Sequence, residues 1–184
     1  MAEIYKIGSD DLIDRVSTFG GTNLFKWTGL DGYNKELQLN DYQNRGSFTQ
    51  FTNSLQFDPS KTLGEKYTIS FDIISPNGTT NVLLYNNNGY PKYFWFAPVN
   101  PLGSIGNAWT HFSYTVTNIE YTGTGTVSTN EQLWRRIEIY CPSQMGCKVR
   151  NIKVEKGNKP TDWTPALQDL ITYDSSTSSL VFFQ

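Results

Sequence analysis

The side chains able to do chemistry are few, and their spacing favours binding over catalysis. The chain of 184 residues has one histidine, His111, in the middle of an alternating run with no serine or cysteine nucleophile signature beside it. A Ser-His-Asp triad takes its members from distant parts of a chain, so spacing alone does not exclude one, but nothing recommends it. His111 reads as a strand histidine facing solvent or packed beside Trp109. No zinc-ligand spacing and no phosphate-cradling glycine loop occurs. Cys141 and Cys147 flank Pro-Ser-Gln-Met-Gly, so a hairpin there brings two thiols together, and a disulfide and a reduced pair are equally open. For glycoside hydrolysis the one carboxylate to watch is Glu138, between Trp134 and Tyr140. An ion pair with Arg136 on the same strand face is its better reading. No catalytic residue and no metal ligand is assigned, and the chain is read as a non-enzyme.

Aromatic residues are the more informative inventory. Eleven Tyr, 11 Phe and 5 Trp make up 15% of the chain, more than a core of this size obviously consumes. Sugars present a flat C–H face and a rim of hydroxyls, so an exposed ring flanked by Asn, Gln, Arg or carboxylate side chains suits them. Two stretches have this character. In the first, Tyr85 and Tyr90 bracket an Asn-rich turn, and in the following run Tyr93 and Trp95 are expected outward with Phe94 and Phe96 inward. In the second, Leu133 to Cys141, the outward set is Trp134, Arg136, Glu138 and Tyr140, with Leu133, Ile137 and Ile139 inward. The candidate saccharide-binding residues are therefore Tyr85, Tyr90, Tyr93, Trp95, Trp134, Arg136, Glu138 and Tyr140. Outward aromatics also build subunit interfaces, so a homo-oligomer contact carries nearly equal weight for both sets.

The elements that position these residues follow from a period of two. Lys66 to Ile73 alternates Tyr67, Ile69, Phe71 and Ile73 with Thr68, Ser70 and Asp72. Trp109 to Val116 repeats the pattern, with Phe112, Tyr114 and Val116 on one face and His111, Ser113 and Thr115 on the other. Further strands are expected over 47–57, 82–85, 92–99, 133–141 and 148–156, with Asn77-Gly78 and Asn88-Gly89 as hairpin turns. Seven or more short antiparallel strands, 15 Gly, 8 Pro and only 17% charged residues describe an all-β, two-sheet antiparallel β-sandwich. Before it, Ile4 to Ile7 reads as an extended arm. Ser9 then caps a short helix edged by Leu12, Ile13 and Val16, and Gly20-Gly21 ends that segment. The expected organisation is an arm or short helix over 1–21, one domain over 22–166 and an extension over 167–184.

Fifteen basic and 17 acidic side chains give a net charge of -2, with no Lys/Arg run. The electrostatic footprint of a nucleic-acid partner is missing. No stretch is long and apolar enough to span a bilayer, and the start, Met-Ala-Glu-Ile-Tyr-Lys, does not read as a secretion signal, so synthesis in a cytoplasm is expected with no membrane as partner.

Strand order and several phrases carry a family resemblance: Asn23-Leu24-Phe25, then Tyr67-Thr68-Ile69-Ser70-Phe71, then Trp109 opening a strand. The closing run Val149-Arg150-Asn151-Ile152-Lys153-Val154-Glu155-Lys156-Gly157-Asn158-Lys159, followed by Thr161-Asp162-Trp163-Thr164-Pro165-Ala166, is the most specific. Over residues 23–166 the chain resembles the jelly-roll carbohydrate-binding modules of tail and baseplate proteins of bacteriophages that infect Gram-positive bacteria. The resemblance implies a jelly roll whose last core strand and exit are this closing run, with the tryptophan covering one end. It implies a virion protein made in the host cytoplasm, with host cell-wall or surface polysaccharide and other tail or baseplate proteins as partners. The expected function is a non-catalytic accessory protein that binds host saccharide and aids adsorption. The alternative is a structural tail or baseplate component whose sandwich mediates assembly. Residues 1–21 and 167–184 would then attach the module to a trimer or to the tail. Two departures stand out: Leu167-Gln168-Asp169 replaces the family's frequent Pro-Glu-Asp stretch, and Asn151 stands where many relatives have an aspartate that helps hold structural calcium. An amide is a poorer ligand for a hard cation than a carboxylate, so no cofactor is expected and structural calcium is the one open question.

Overall fold

Alternation of apolar and polar side chains decides which strands form and which face each buries. The computed structural model describes residues 21–26, 36–51, 54–86, 90–96, 99–166, 171–174 and 179–182. Its strands are β1 (Leu37–Gln38), β2 (Asn40–Asp41), β3 (Gly46–Phe51), β4 (Lys66–Ile74), β5 (Thr80–Tyr85), β6 (Tyr90–Pro91) and β7 (Val99–Ile105). They continue with β8 (Thr110–Thr117), β9 (Val127–Ser128), β10 (Ile137–Pro142), β11 (Lys148–Lys156), β12 (Ile171–Asp174) and β13 (Ser179–Phe182), and one short helix, α1, spans Glu131–Trp134.

Two antiparallel sheets face each other across the core. One has 4 strands in the order β1-β11-β4-β8, the other 5 in the order β2-β3-β10-β5-β7. With β2 set aside, the first strand of the sandwich, β1, pairs with its last, β11, and the path alternates between the sheets except at the β5–β7 pair, as a jelly roll requires. Tyr67, Ile69, Phe71 and Ile73 of β4 and Ile137, Ile139 and Cys141 of β10 are buried between the sheets. Phe57 stacks on Tyr67 at 4.4 Å, and Phe94 meets both rings edge-on, closing one end of the core. In β8, His111, Ser113 and Thr115 are exposed, as the alternation requires. Cys141 and Cys147 are buried free thiols.

The closing run acts as a clasp. Lys153 and Glu155 lie on the β11 face opposite Val154, yet each is only 1% exposed because residues 157–166 fold back over them. Glu155 accepts from Thr161 N at 2.8 Å and Thr161 Oγ1 at 2.7 Å, while Lys153 Nζ donates to Asp162 O at 2.7 Å. Trp163 Nε1 donates to Ile152 O at 3.2 Å. Asn23 ties the opposite edge: Nδ2 donates to Ile152 O and Thr164 O, and Oδ1 accepts from Phe25 N and Val154 N. The most specific sequence motif is therefore structural: it shields buried charge and satisfies backbone groups that a free strand edge would leave unpaired.

Several expectations need correction. Residues 92–96 form no strand: among the described residues between β5 and β7, only Tyr90–Pro91 is a strand. Phe94 adopts φ +52, and its backbone is held by Asn118 Oδ1, which accepts from Phe94 N at 2.7 Å, and by Asn86 Nδ2, which donates to Phe94 O. Side-chain amides thus replace a β-ladder there. Leu133 and Trp134 belong to α1, capped by the Asn130 side chain, so β10 starts only at Ile137. Asn77-Gly78 joins β4 to β5 across the two sheets and makes no hairpin. The Asn88-Gly89 turn and the arm with its short helix, except Gly21, lie outside the described residues, and β12–β13 forms a hairpin within the C-terminal extension.

Candidate functional site

β10 lies between β3 and β5, and its register sets the geometry of the open face of the five-stranded sheet. Glu138 stands opposite Gln50 and Tyr85, and Tyr140 stands opposite Phe48 and Leu83. Because Ile137, Ile139 and Cys141 are in the core, Glu138 and Tyr140 emerge on the other side. Phe48 and Tyr85, on strands about 9.5 Å apart across β10, bring their rings to 6.4 Å with 27° between planes. Both rings lean inward and meet above β10. Tyr140 lies 6.2 Å from Phe48, and Tyr42 lies 5.1 Å from Phe48 and 5.9 Å from Tyr140. Tyr140 Oη donates to Arg45 O at 2.9 Å. The result is a half-exposed aromatic platform with the exposed side chains of Arg45 and Gln50 at its rim.

Beneath it, Glu138 is completely buried. Gln50 Nε2 donates to Glu138 Oε1 at 3.0 Å, and Arg136 Nε lies 2.9 Å from the same oxygen. Among the described residues, Oε2 has no hydrogen-bond partner. Burial lifts the Glu138 carboxyl to about 7, against the opposing effects of Arg136 and Gln50. Burial, then the nearby Glu138 charge, raises the Tyr85 phenol to about 12. Arg136 and Glu138 were expected in solvent; they form a covered ion pair, because outward rings on flanking strands close over the strand between them.

The other four candidates are elsewhere. Tyr90 stacks on Tyr121 at 4.4 Å, and Trp95 meets Tyr121 edge-on at 5.0 Å. Trp134 meets Tyr93 edge-on at 4.9 Å and donates from Nε1 to Ser128 O at 3.0 Å. Tyr93 and Trp95 are partly exposed while Phe94 and Phe96 are buried. The structure thus joins Tyr85, Arg136, Glu138 and Tyr140 in one place and spends the rings of Tyr90, Tyr93, Trp95 and Trp134 largely on one another and on Tyr121.

Tyr42, Phe48, Gln50 and Tyr121 were missed by sequence reasoning. In β3 the usual rule is inverted: Ser47 and Thr49 face the core and Phe48 the outside. Ser47 is accommodated because Oγ donates to Gln144 O at 2.8 Å and accepts from Cys147 N at 3.2 Å. The only available signal was that Phe48 and Gln50 share a face with period two.

No group of three His, Cys, Asp or Glu side chains that could hold a metal occurs among the described residues. The surroundings of Asn151 do not fit calcium: its amide Nδ2 donates to Asp72 Oδ2 at 2.7 Å, and the same carboxylate faces Arg150 and His111. Among the described residues, the His111 side chain makes its hydrogen bond with Asp72, at 2.8 Å. Among them, no helix is long and apolar enough to cross a membrane.

No protein-family model and no curated protein matches the sequence. Among solved structures, the chain is similar to the tripod (BppUct-A-L) from the baseplate of bacteriophage Tuc2009, with a TM-score of 0.42 and 13% identity. The match covers 80% of this chain and 59% of that one, so the chain spans less than two thirds of its length. A likeness that distant assigns no residue and no function.

Proposed function

We propose that the protein is a non-catalytic accessory component of a phage tail or baseplate that binds host cell-wall or surface saccharide on the open face of its five-stranded sheet. The observation that carries this reading is the platform of Tyr42, Phe48, Tyr85 and Tyr140, whose rings are gathered outside the core. Exposed Gln50 and Arg45 stand at its rim for hydroxyl groups. The virion setting and the polysaccharide class rest on the sequence resemblance over residues 23–166. A single shallow site with a dissociation constant near 1 mM gives only about -4 kcal/mol, but several copies on one particle gain ~10² to 10⁴ in avidity.

Fluorescently labelled protein should bind intact Gram-positive cells and their extracted wall polysaccharides saturably. Tyr140→Ala and Tyr85→Ala should each weaken that binding roughly 5- to 30-fold, the loss of about 1–2 kcal/mol of ring contact. Trp95→Ala and Trp134→Ala serve as comparisons at the other aromatic group and should leave binding within twofold. The structural alternative has its own observation: Tyr90 and Val127, paired across β6 and β9, are both exposed. Absence of cell binding together with a fall in assembly mass in Tyr90 variants would favour that alternative.

A further inference from the structure

On the opposite face of the sandwich, a row of side chains crosses three strands of the four-stranded sheet. Arg150 of β11 pairs with Asp72 of β4, and Asp72 pairs with His111 of β8. The Arg150 guanidinium carbon lies over the Trp109 ring, 4.0 Å from its centroid, in cation–π contact. Its Nε side approaches Asp72 Oδ2 at 3.5 Å without forming a hydrogen bond. Among the described residues, neither terminal nitrogen of Arg150 has a hydrogen-bond partner, and the side chain is 34% exposed. Such a planar donor fork, already held against a ring and only partly solvated, has lost much of the freedom that binding would otherwise remove.

The surroundings suit an anion despite Asp72. Both Asp72 oxygens are engaged on the protein side, Oδ1 by His111 Nδ1 and Oδ2 by Asn151 Nδ2 at 2.7 Å. Asn151 sits at φ +53, where the β11 ladder with β4 shifts register between Arg150 and Lys153. That irregularity turns its amide towards Asp72, which then holds Arg150 from behind. We propose that Arg150, held over the Trp109 ring and beside Asp72, is a receptor for an anionic oxygen group, a phosphodiester or a carboxylate, of a polymer ligand. It goes beyond the aromatic platform, lies on the other sheet, and stands or falls independently of it.

The test is calorimetric titration of the full chain with a poly(glycerol phosphate), with polygalacturonate and with a neutral glucan, at low salt. Binding of one or both anionic polymers is expected, reduced at least 10-fold in Arg150→Lys, which keeps the charge but loses the planar fork. Which polymer binds tells whether phosphate or carboxylate is the preferred source. Loss of the glucan signal in Tyr140→Ala but not in Arg150→Lys would separate the two faces. If neither anionic polymer binds, or Arg150→Lys binds as the natural chain does, the proposal is overturned. Should Arg150→Lys fail to fold, the arginine Nε–H resonance of the unaltered protein decides: a shift confined to Arg150 on adding the anionic polymer supports the site, and an unmoved signal rejects it.

Discussion

Glu155→Ala is expected to lower the unfolding free energy by about 3–5 kcal/mol, the cost of leaving a buried charge without its partner. Lys153 Nζ lies 3.6 Å from Glu155 Oε2, and both side chains are 1% exposed. Burial already pulls the Lys153 pKa down, with Glu155 and then Asp162 opposing that shift, so removing the Glu155 carboxylate leaves the ammonium, among the described residues, to Thr161 Oγ1, Asp162 O and the Asp162 charge. The Thr161 backbone N–H and hydroxyl lose their acceptor in the same step. In a domain of this size the loss corresponds to roughly 6–20 °C in melting temperature. The double variant Lys153→Met with Glu155→Leu should regain the part due to the unpaired charge, while the Thr161 N–H and hydroxyl remain without their acceptor. Urea unfolding of the single and double variants measures both. A single-variant loss below about 1 kcal/mol would mean that the 157–166 strap does not cover these groups.

Legibility from sequence divides along a physical line. β4 and β8 were readable because their apolar and polar residues alternate, whereas β11 breaks its alternation at the irregularity around Asn151; both sheets follow from such strands being too many and too short for anything but a sandwich. Residues 92–96 misled because Phe94 and Phe96 are inward for a reason unrelated to strand pairing: they plug the end of the core while Asn86 and Asn118 bond the backbone. Trp134 misled because Asn130, a good N-cap, starts one helical turn immediately before β10. At the candidate site, Tyr140 was singled out from alternation and Tyr85 from its place beside the Asn-rich turn. Their partners Phe48 and Tyr42 were not, since cross-strand neighbours depend on register, which no single strand encodes. The burial of Glu138 was invisible for the same reason, because its cover comes from rings on the two strands beside it.

That cover makes a pH prediction with a definite sign. The Glu138 carboxyl titrates from an ordinary 4.5 when unfolded to about 7 when folded. Between those values the folded state binds the extra proton, so stability falls as pH rises, by at most about 3 kcal/mol, and the cost is fully present above pH 7. The contribution to melting temperature is a decline of roughly 6–12 °C between pH 5 and pH 8. Glu138→Gln removes the titration, so the curve of its melting temperature against pH should be flatter by that amount. Subtracting one curve from the other cancels every other titrating group, the Cys141–Cys147 pair included. The gain of Glu138→Gln at pH 8 should be smaller than the full 3 kcal/mol, because Arg136 loses its counter-charge. Phe48→Ala should shift the transition back towards the ordinary carboxylate range, since removing one ring readmits water to Oε2. Parallel curves for the unaltered chain and Glu138→Gln would show that Phe48 and Tyr85 do not close over β10. The aromatic platform would then lack the geometry on which the saccharide reading depends.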